Sequence, residues 1–314
     1  MFGRIGVIAL NTYRESVRAR ILLGLAVMAF FVSLFALVVG AFTLKNAPRV
    51  VSDLGAASIS IFSLLVAIVI GATSLYRELE QKTLFPILAR PIRRGEYLVG
   101  KYLGTLLTIA VFVMADAGLV LLLSAGLGAP DSAVHLYRIV GGPLGWLLLM
   151  VLVGWRIPTM RTYGVIPWAA GMLVLGVVLS DVAPDERRVV LASSALTLLE
   201  IAIVAAAATL FASFSTPFLS ALFTLGVWIV GRYADNLARL PVKQFGQTIH
   251  DMGVGLSKIV PNLQIFVPPR PLLVGEAIDV KLSSYLGMAS LTSLGWSLGL
   301  LAVAALVFNE RDFL

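Results

Sequence analysis

A series of long apolar runs, separated by short polar stretches, limits this chain to a few kinds of fold. A bilayer core about 30 Å thick is crossed by about 20 helical residues, each rising about 1.5 Å. The runs do not alternate apolar and polar residues as membrane β-strands do. Only 13% of the 314 residues are charged, against about 25% in soluble domains. The sequence therefore predicts an all-α integral membrane protein, a polytopic helical bundle forming one transmembrane domain over residues 1–314.

The apolar runs predict about eight membrane spans. They cover residues 21–42, 54–75, 102–123, 142–155, 163–180, 189–211, 217–231 and 284–308. The run at 142–155 is short enough to be either a tilted span or a re-entrant segment. We interpret 142–180 as a hairpin that turns at "RIPTMR", residues 156–161, with the re-entrant alternative open.

Two further segments are expected to touch the membrane without crossing it. Residues 1–20 predict an interfacial amphipathic helix, because apolar residues recur at helical spacing and arginines occupy other faces. A basic leader that sets topology fits the same residues. Residues 232–283 are broken by Pro241, Pro261 and "VPPRP", which predicts an extracytoplasmic, membrane-associated segment with an interfacial helix at 242–260.

The distribution of lysine and arginine orients the chain, since these residues accumulate in short cytoplasmic loops. In the first half, residues 1–20 and 76–101 carry four and six of them, and the opposing loops carry three. Both termini and the 76–101 loop are therefore predicted to be cytoplasmic, in the inner membrane. Residues 232–283 carry six lysines and arginines, although the parity of eight spans places them outside. The net charge of +7 thus marks topology, and no nucleic-acid partner is expected.

The 76–101 loop has an internal order of its own. Glu78 and Lys82 have the spacing of a helical ion pair, and Pro91 biases Arg90 towards an extended conformation. A short helix ended by a proline bend has the shape of a docking element, and an ordinary charged loop is the alternative. Its end, "GEYLVGK", approximates a phosphate-binding loop, but Tyr102 replaces the hydroxyl that would hold Mg²⁺. A nucleotide site is therefore not expected.

The sequence "RELEQKTLFPILARPIRRGEYLVGKYLG", residues 77–104, resembles the segment between the second and third spans of ABC-2-type transporter permeases. The matching positions are Glu78, Glu80, Thr83, Leu84, Pro91, Arg94, Gly100 and Lys101. Lys82 stands where that family usually has glycine. The resemblance covers most of the chain except 127–188, which is longer than a six-span core requires and agrees with an extra hairpin.

The resemblance implies the membrane subunit of an ATP-driven transporter whose ATPase is a separate chain. The loop would then be a coupling helix lying in a groove of that ATPase, and Lys101 would reach the cytoplasmic surface. The implied ATPase-coupling residues are Glu78, Glu80, Thr83, Leu84, Pro86, Arg90, Pro91 and Arg94. This chain would bind no cofactor, with ATP and Mg²⁺ on the partner subunit. The implied partners are two ATPase copies, a second or homologous permease and membrane lipid, and export is the commoner direction in the family.

Two acidic residues fall inside predicted spans, Asp116 and Glu200. Such residues line a substrate or proton path, or are satisfied by hydrogen bonds between helices. The first option would suit an ion-coupled secondary transporter, although the internal repeat common in that class is not evident. A purely structural membrane scaffold is a further alternative.

Enzymatic and metal sites have little support in the sequence. It has neither H-E-x-x-H nor G-x-S-x-G, so a hydrolytic intramembrane enzyme has no candidate residues. The chain has two histidines, far apart, and no cysteine, so no metal site is predicted.

Overall fold

Every regular element that the structure describes is a helix. The structure, a computed structural model, describes residues 2–43, 46–80, 94–128, 133–157, 159–276 and 280–310. No strand occurs within these ranges. This confirms the predicted all-α class.

The described residues form fourteen α-helices and two short 3₁₀ turns. In chain order the α-helices are α1 (Phe2–Arg18), α2 (Arg20–Ala41), α3 (Ala47–Glu80), α4 (Arg94–Gly128), α5 (Ala133–Arg156), α6 (Met160–Tyr163), α7 (Val165–Leu179), α8 (Pro184–Ala212), α9 (Pro217–Arg232), α10 (Ala234–Ala238), α11 (Val242–Phe245), α12 (Gln247–Ile259), α13 (Arg270–Val274) and α14 (Leu282–Glu310). The 3₁₀ turns are Ser180–Val182 and Gln264–Phe266.

Seven described helical segments are long and apolar enough to cross a membrane. They are α2, α3, α4, α5, α7 together with the 3₁₀ turn that continues it to Val182, α8 and α14. The eighth predicted span corresponds to α9, which is apolar but has only 16 residues. Helices α5 and α7 both reach spanning length, which supports two spans over the re-entrant alternative for 142–180. The multi-pass helical bundle predicted from the sequence is therefore confirmed.

Three helices, α3, α4 and α8, pack on one another at the centre of the bundle. Helix α2 packs on α3, α7 on α4, α9 on α3 and α8, and α14 on α8. Helix α5 lies outside, against α7, and its apolar side chains such as Leu148 and Val151 are exposed. Since a membrane solvates apolar side chains, this exposure is the expected state of a lipid-facing helix.

The bundle has two distinct ends. Helix α3 ends, and α4 begins, at what we call the loop end, where α1 and the last turn of α14 also lie. The opposite far end holds the starts of α3 and α8 and the segment from α10 to α13. Helix α8 begins at Pro184 with Asp185 and Glu186 in its first turn. The first N–H groups of a helix have no partner within it, so proline, which has no N–H, costs no hydrogen bond there. The acidic side chains interact favourably with the positive end of the helix dipole.

One predicted helix is broken in two. Residues 242–260 form α11 and α12, separated by Gly246, whose φ of 83° interrupts the helix. Beyond α12 the chain turns inward, so that Leu263 and Phe266 are buried in the main hydrophobic core. The segment is thus anchored in the bundle by its own apolar side chains.

Candidate functional site

The structure describes three of the residues implicated in ATPase coupling, and all three lie at the loop end. Glu78 and Glu80 lie in the last turn of α3, which confirms that this helix continues beyond the apolar run. Thr83, Leu84, Pro86, Arg90 and Pro91 lie outside the described residues. Arg94 is the first residue of α4.

Arg94 connects the start of α4 to the end of α14. Its Nη1 atom donates to the carbonyl oxygens of Phe308, at 3.2 Å, and Asn309, at 2.9 Å. The last carbonyls of a helix have no partner within it, and a cation there also favours the helix dipole. The family resemblance implies a role in ATPase coupling for this side chain, and its described hydrogen-bond partners lie within the chain.

An aromatic contact reinforces the same connection. The rings of Tyr97 and Phe308 are stacked at 6.4 Å between centroids, and both side chains are buried. Together with Arg94, this contact ties α14 to the helix that leaves the loop.

Lys101 is buried, contrary to the prediction that it reaches the cytoplasmic surface. Its Nζ atom lies 3.1 Å from Ser74 Oγ and 3.5 Å from the Glu15 carboxylate. It also lies 5.9 Å from the centre of the Tyr97 ring, within the range of a cation–π interaction. The ammonium group therefore connects α4 to both α3 and α1. Ser74 and Glu15 take the place of water as its partners.

The first helix is amphipathic, as predicted, and it packs on α4. A Cβ atom added at Gly104 would lie 2.5 Å from the Ala9 carbonyl oxygen, and one at Gly100 would lie 2.7 Å from Ile8 Cβ. Only glycine permits this approach of the two backbones. The other side of α1 exposes Val7 and Leu10, so the helix has an apolar surface for the interface as well.

Tyr13 joins α1 to the hairpin formed by α5, α6 and α7. Its ring is buried and stacked on Tyr163 at 6.3 Å between centroids. Burial, with a smaller contribution from Tyr163, raises the pKa of Tyr13 to about 12. The phenol is therefore neutral throughout the physiological range.

The two intramembrane acids are enclosed separately. Asp116 is fully buried, and its Oδ1 atom accepts a hydrogen bond of 2.9 Å from Ser33 on α2. Glu200 is 1% exposed and accepts from Arg232 Nε at 2.7 Å, Arg232 Nη2 at 2.8 Å and Trp228 Nε1 at 2.9 Å. The two acids have separate hydrogen-bond partners, and the buried Oδ2 atom of Asp116 has none among the described residues.

Arg232 is the residue that sequence reasoning missed. It follows the apolar run at 217–231 and was counted with the polar segment beyond it, whereas the structure places it in the last turn of α9. Its Nη2 atom also donates to Ser60 on α3 at 3.1 Å. The available signal was Glu200 itself, because a carboxylate within a span requires a nearby donor or cation.

A second group of charges lies at the far end. Arg270, in α13, donates to Asp53 of α3 and to Glu186 of α8, the latter at 3.0 Å. The Nε atom of Arg49 lies 3.8 Å from Oδ2 of Asp53. These contacts join the far-end segment to the first turns of two central helices.

A model of the family described as ABC-2 family transporter protein matches residues 7–313 of the chain. No curated protein matches the sequence. The family match extends from α1 to the end of the last span and includes both the loop end and the far end.

Proposed function

The chain belongs to the ABC-2 family of transporter proteins and is a multi-pass membrane subunit of an ABC transporter, and we propose that it exports a substrate across the cytoplasmic membrane. The ATPase is a separate subunit, present in two copies, which binds ATP and Mg²⁺. Two permeases, identical or homologous, complete the transporter. The 76–101 loop couples the permease to the ATPase.

The observation that carries this proposal is the position of the loop between α3 and α4. Both helices belong to the central trio of the bundle, and α4 is tied to α14 by Arg94 and to α1 by Lys101. A displacement of the loop is therefore a displacement of central helices. Such a linkage is suited to rigid-body movement driven by a partner.

The proposed orientation has the loop end in the cytoplasm. Helix α1, the end of α3, the start of α4 and the end of α14 lie at this end, and residues 1–20 and 76–101 together carry ten lysines and arginines. Positive residues accumulate on the cytoplasmic side. The far end, with its charged network around Arg270, then faces outward.

The roles proposed for Glu78 and Glu80 are testable by charge reversal. In the double variant Glu78→Lys and Glu80→Lys, we expect a severalfold loss of ATPase co-purification or of transport-coupled ATP hydrolysis. Electrostatic complementarity guides docking, and a reversed charge opposes it. Glu310→Lys is a matched control, because Glu310 lies exposed at the same end on α14. Unchanged complex yield together with unchanged coupled turnover would contradict the proposal.

A further inference from the structure

A cavity of about 580 Å³ penetrates the bundle from the far end. It lies between α3, α8 and α9, and residues 266–273 form its remaining wall. Asp53 lies near the start of α3 and Ser60 lies seven residues further along that helix. At about 1.5 Å per residue, the cavity extends about 10 Å along α3 between these two residues.

The floor of the cavity is formed by Arg232, held in a fixed orientation. Glu200 engages Nε and Nη2 of the guanidinium, and Ser60 accepts from Nη2. Nη1 makes no hydrogen bond with any residue that the structure describes, and the side chain is 19% exposed. Two N–H donors are thus available to a molecule in the cavity.

Glu200 itself is not available to a ligand. It is 1% exposed, and its two oxygens accept hydrogen bonds from Arg232 and Trp228. The carboxylate therefore acts behind the arginine as a positioning group. What the pair presents to the cavity is the N–H donors of Arg232 Nη1, on a guanidinium whose charge Glu200 balances.

The walls combine apolar and hydroxyl groups. Trp228, Phe266 and Leu273 contribute apolar surface, and Ser193 and Thr197 contribute hydroxyls. Trp228 also lies against Arg232, whose guanidinium carbon is 5.4 Å from the indole centre. Such walls suit an organic body with an apolar or ring-containing part.

Hydrogen-bond donors favour an oxyanion in this cavity. Arg49 and Arg270 line it and are paired with Asp53, and Arg270 is paired with Glu186 as well. The guanidinium donors left for a ligand among the described residues are therefore those of Arg232 Nη1. Guanidinium groups bind carboxylate and phosphate oxygens with favourable geometry. The aromatic and hydroxyl groups of the wall add hydrogen-bonding and packing surface around such a ligand.

We infer that this cavity binds a small organic oxyanion, with its carboxylate or phosphate oxygens on Arg232 Nη1 and its apolar body between Trp228 and Phe266. As the identity of the transported substrate, this inference rests on the proposed function. The binding step itself requires only the permease.

The test is equilibrium dialysis with the full chain in lipid nanodiscs, without an ATPase. The probe is 1-naphthoate, with 1-naphthylmethanol as the uncharged analogue and 1-naphthylmethylammonium as the cationic one. We expect saturable binding of 1-naphthoate above that of empty nanodiscs, weaker binding of the alcohol and none of the cation. Binding of 1-naphthoate equal to that of empty nanodiscs, or preference for the cation, would overturn the inference.

Variants assign the binding to Arg232. Arg232→Gln should weaken 1-naphthoate binding at least about tenfold, the effect of one lost hydrogen bond to a charged group. Glu200→Gln should strengthen binding severalfold, because the amide still accepts from the arginine but no longer neutralises it. A role of Glu200 as the ligand-binding group predicts the opposite sign, so weakened binding in Glu200→Gln contradicts the inference.

Two further variants guard against misfolding and non-specific charge effects. Ala57→Phe narrows the cavity while keeping the ion pair, and it should abolish binding. Arg239→Gln removes an exposed arginine of the far-end segment outside the cavity, and it should leave binding unchanged. Unaltered binding in Ala57→Phe would place the probe elsewhere and overturn the inference.

The two proposals fail separately. Absent 1-naphthoate binding with intact loop-dependent ATPase coupling rejects the oxyanion site and leaves the proposed function in place. Normal binding with no effect of the Glu78 and Glu80 reversals on coupling rejects the proposed function and leaves the site in place.

Discussion

The Glu200 carboxylate shows how this chain accommodates a charge inside a bundle. Arg232 engages both of its oxygens, and Trp228 adds a third donor to one of them. Removing two charges from water is unfavourable, and the arrangement is tolerable because each group is paired and hydrogen-bonded. The loss of one partner should therefore be far more damaging than the loss of both.

The variant Arg232→Met tests this asymmetry. It leaves Glu200 buried and unpaired, and we expect the free energy of unfolding to fall by about 3–5 kcal/mol. The double variant Arg232→Met and Glu200→Leu should recover most of that loss. Denaturant or thermal unfolding in one detergent gives both values, and Arg239→Met is the control. A double variant as unstable as the single one would contradict a pairing role.

Arg94 makes a second prediction at the scale of one residue. Because its described hydrogen bonds lie on α14, Arg94→Gln should leave assembly with the ATPase intact. It should lower transport-coupled ATP hydrolysis severalfold, since the loop would no longer move the last span with α4. Complex yield and ATP turnover are measured on the same preparation. Loss of the complex itself would instead place Arg94 at the ATPase interface.

At this scale the sequence identified the buried acids that require hydrogen-bond partners, and it did not identify the partners. Asp116 and Glu200 stood out as acids within spans, and each has a hydrogen-bond partner, Ser33 or Arg232. Those partners are 83 and 32 residues away along the chain. Which apolar helix lies beside which is decided by packing, and sequence spacing does not encode it. The same reason explains why the burial of Lys101 against Glu15 was not predicted.

Among the elements, the position of α1 depends on two glycines of α4, Gly100 and Gly104. The glycines of α4 that face it leave no room for a methyl group. Gly104→Ala would place a Cβ atom 2.5 Å from the backbone oxygen of Ala9, so α1 must move away. We expect faster trypsin cleavage after Arg14 and Arg18 in the purified permease.

Helix α4 also provides the matched control for that experiment. A Cβ atom at Gly126 meets nothing closer than 4.0 Å, so Gly126→Ala should give cleavage at the rate of the unaltered chain. Equal cleavage of Gly104→Ala and Gly126→Ala would show that α1 does not depend on this close contact.

Element positions were predicted well where apolar runs are long and less well where they are interrupted. The run at 54–75 lies within α3, which extends to Glu80 because the polar residues beyond it also favour a helix. The segment 242–260 has the composition of one helix, yet Gly246 adopts a positive φ and divides it. A glycine tolerates either backbone conformation, so composition alone does not decide between them.

For the whole molecule, the absence of cysteine from the sequence permits a direct test of orientation. In intact cells, a membrane-impermeant maleimide should label Asn236→Cys, on exposed α10 at the far end. It should label Gln81→Cys, within the 76–101 loop, only after the membrane is permeabilised. Labelling of Gln81→Cys in intact cells would place the loop outside and remove any route to an ATPase.

The approximate number of membrane spans could be predicted from the sequence. Which spans lie at the centre of the bundle and which lie outside could not. Hydropathy gave the spans, and positive residues gave a sidedness for the first half of the chain. Nearly every run is apolar on all sides, so no stripe distinguishes α4, at the centre, from α5, whose side chains are exposed along most of its length. Small residues and buried polar pairs make that distinction in the folded bundle.

The contacts around Arg270 make the far end sensitive to the salt concentration of the medium that reaches it. They involve partly exposed side chains, with Asp53 49% accessible, whereas the pair beneath them is enclosed. Exposed charges are screened from one another beyond a Debye length, which is about 30 Å at 0.01 M salt, about 8 Å at 0.15 M and about 3 Å at 1 M. Molar salt should therefore weaken the ion pairs of Arg270 at the rim of the cavity before it affects the enclosed Arg232–Glu200 pair, and low salt should strengthen them.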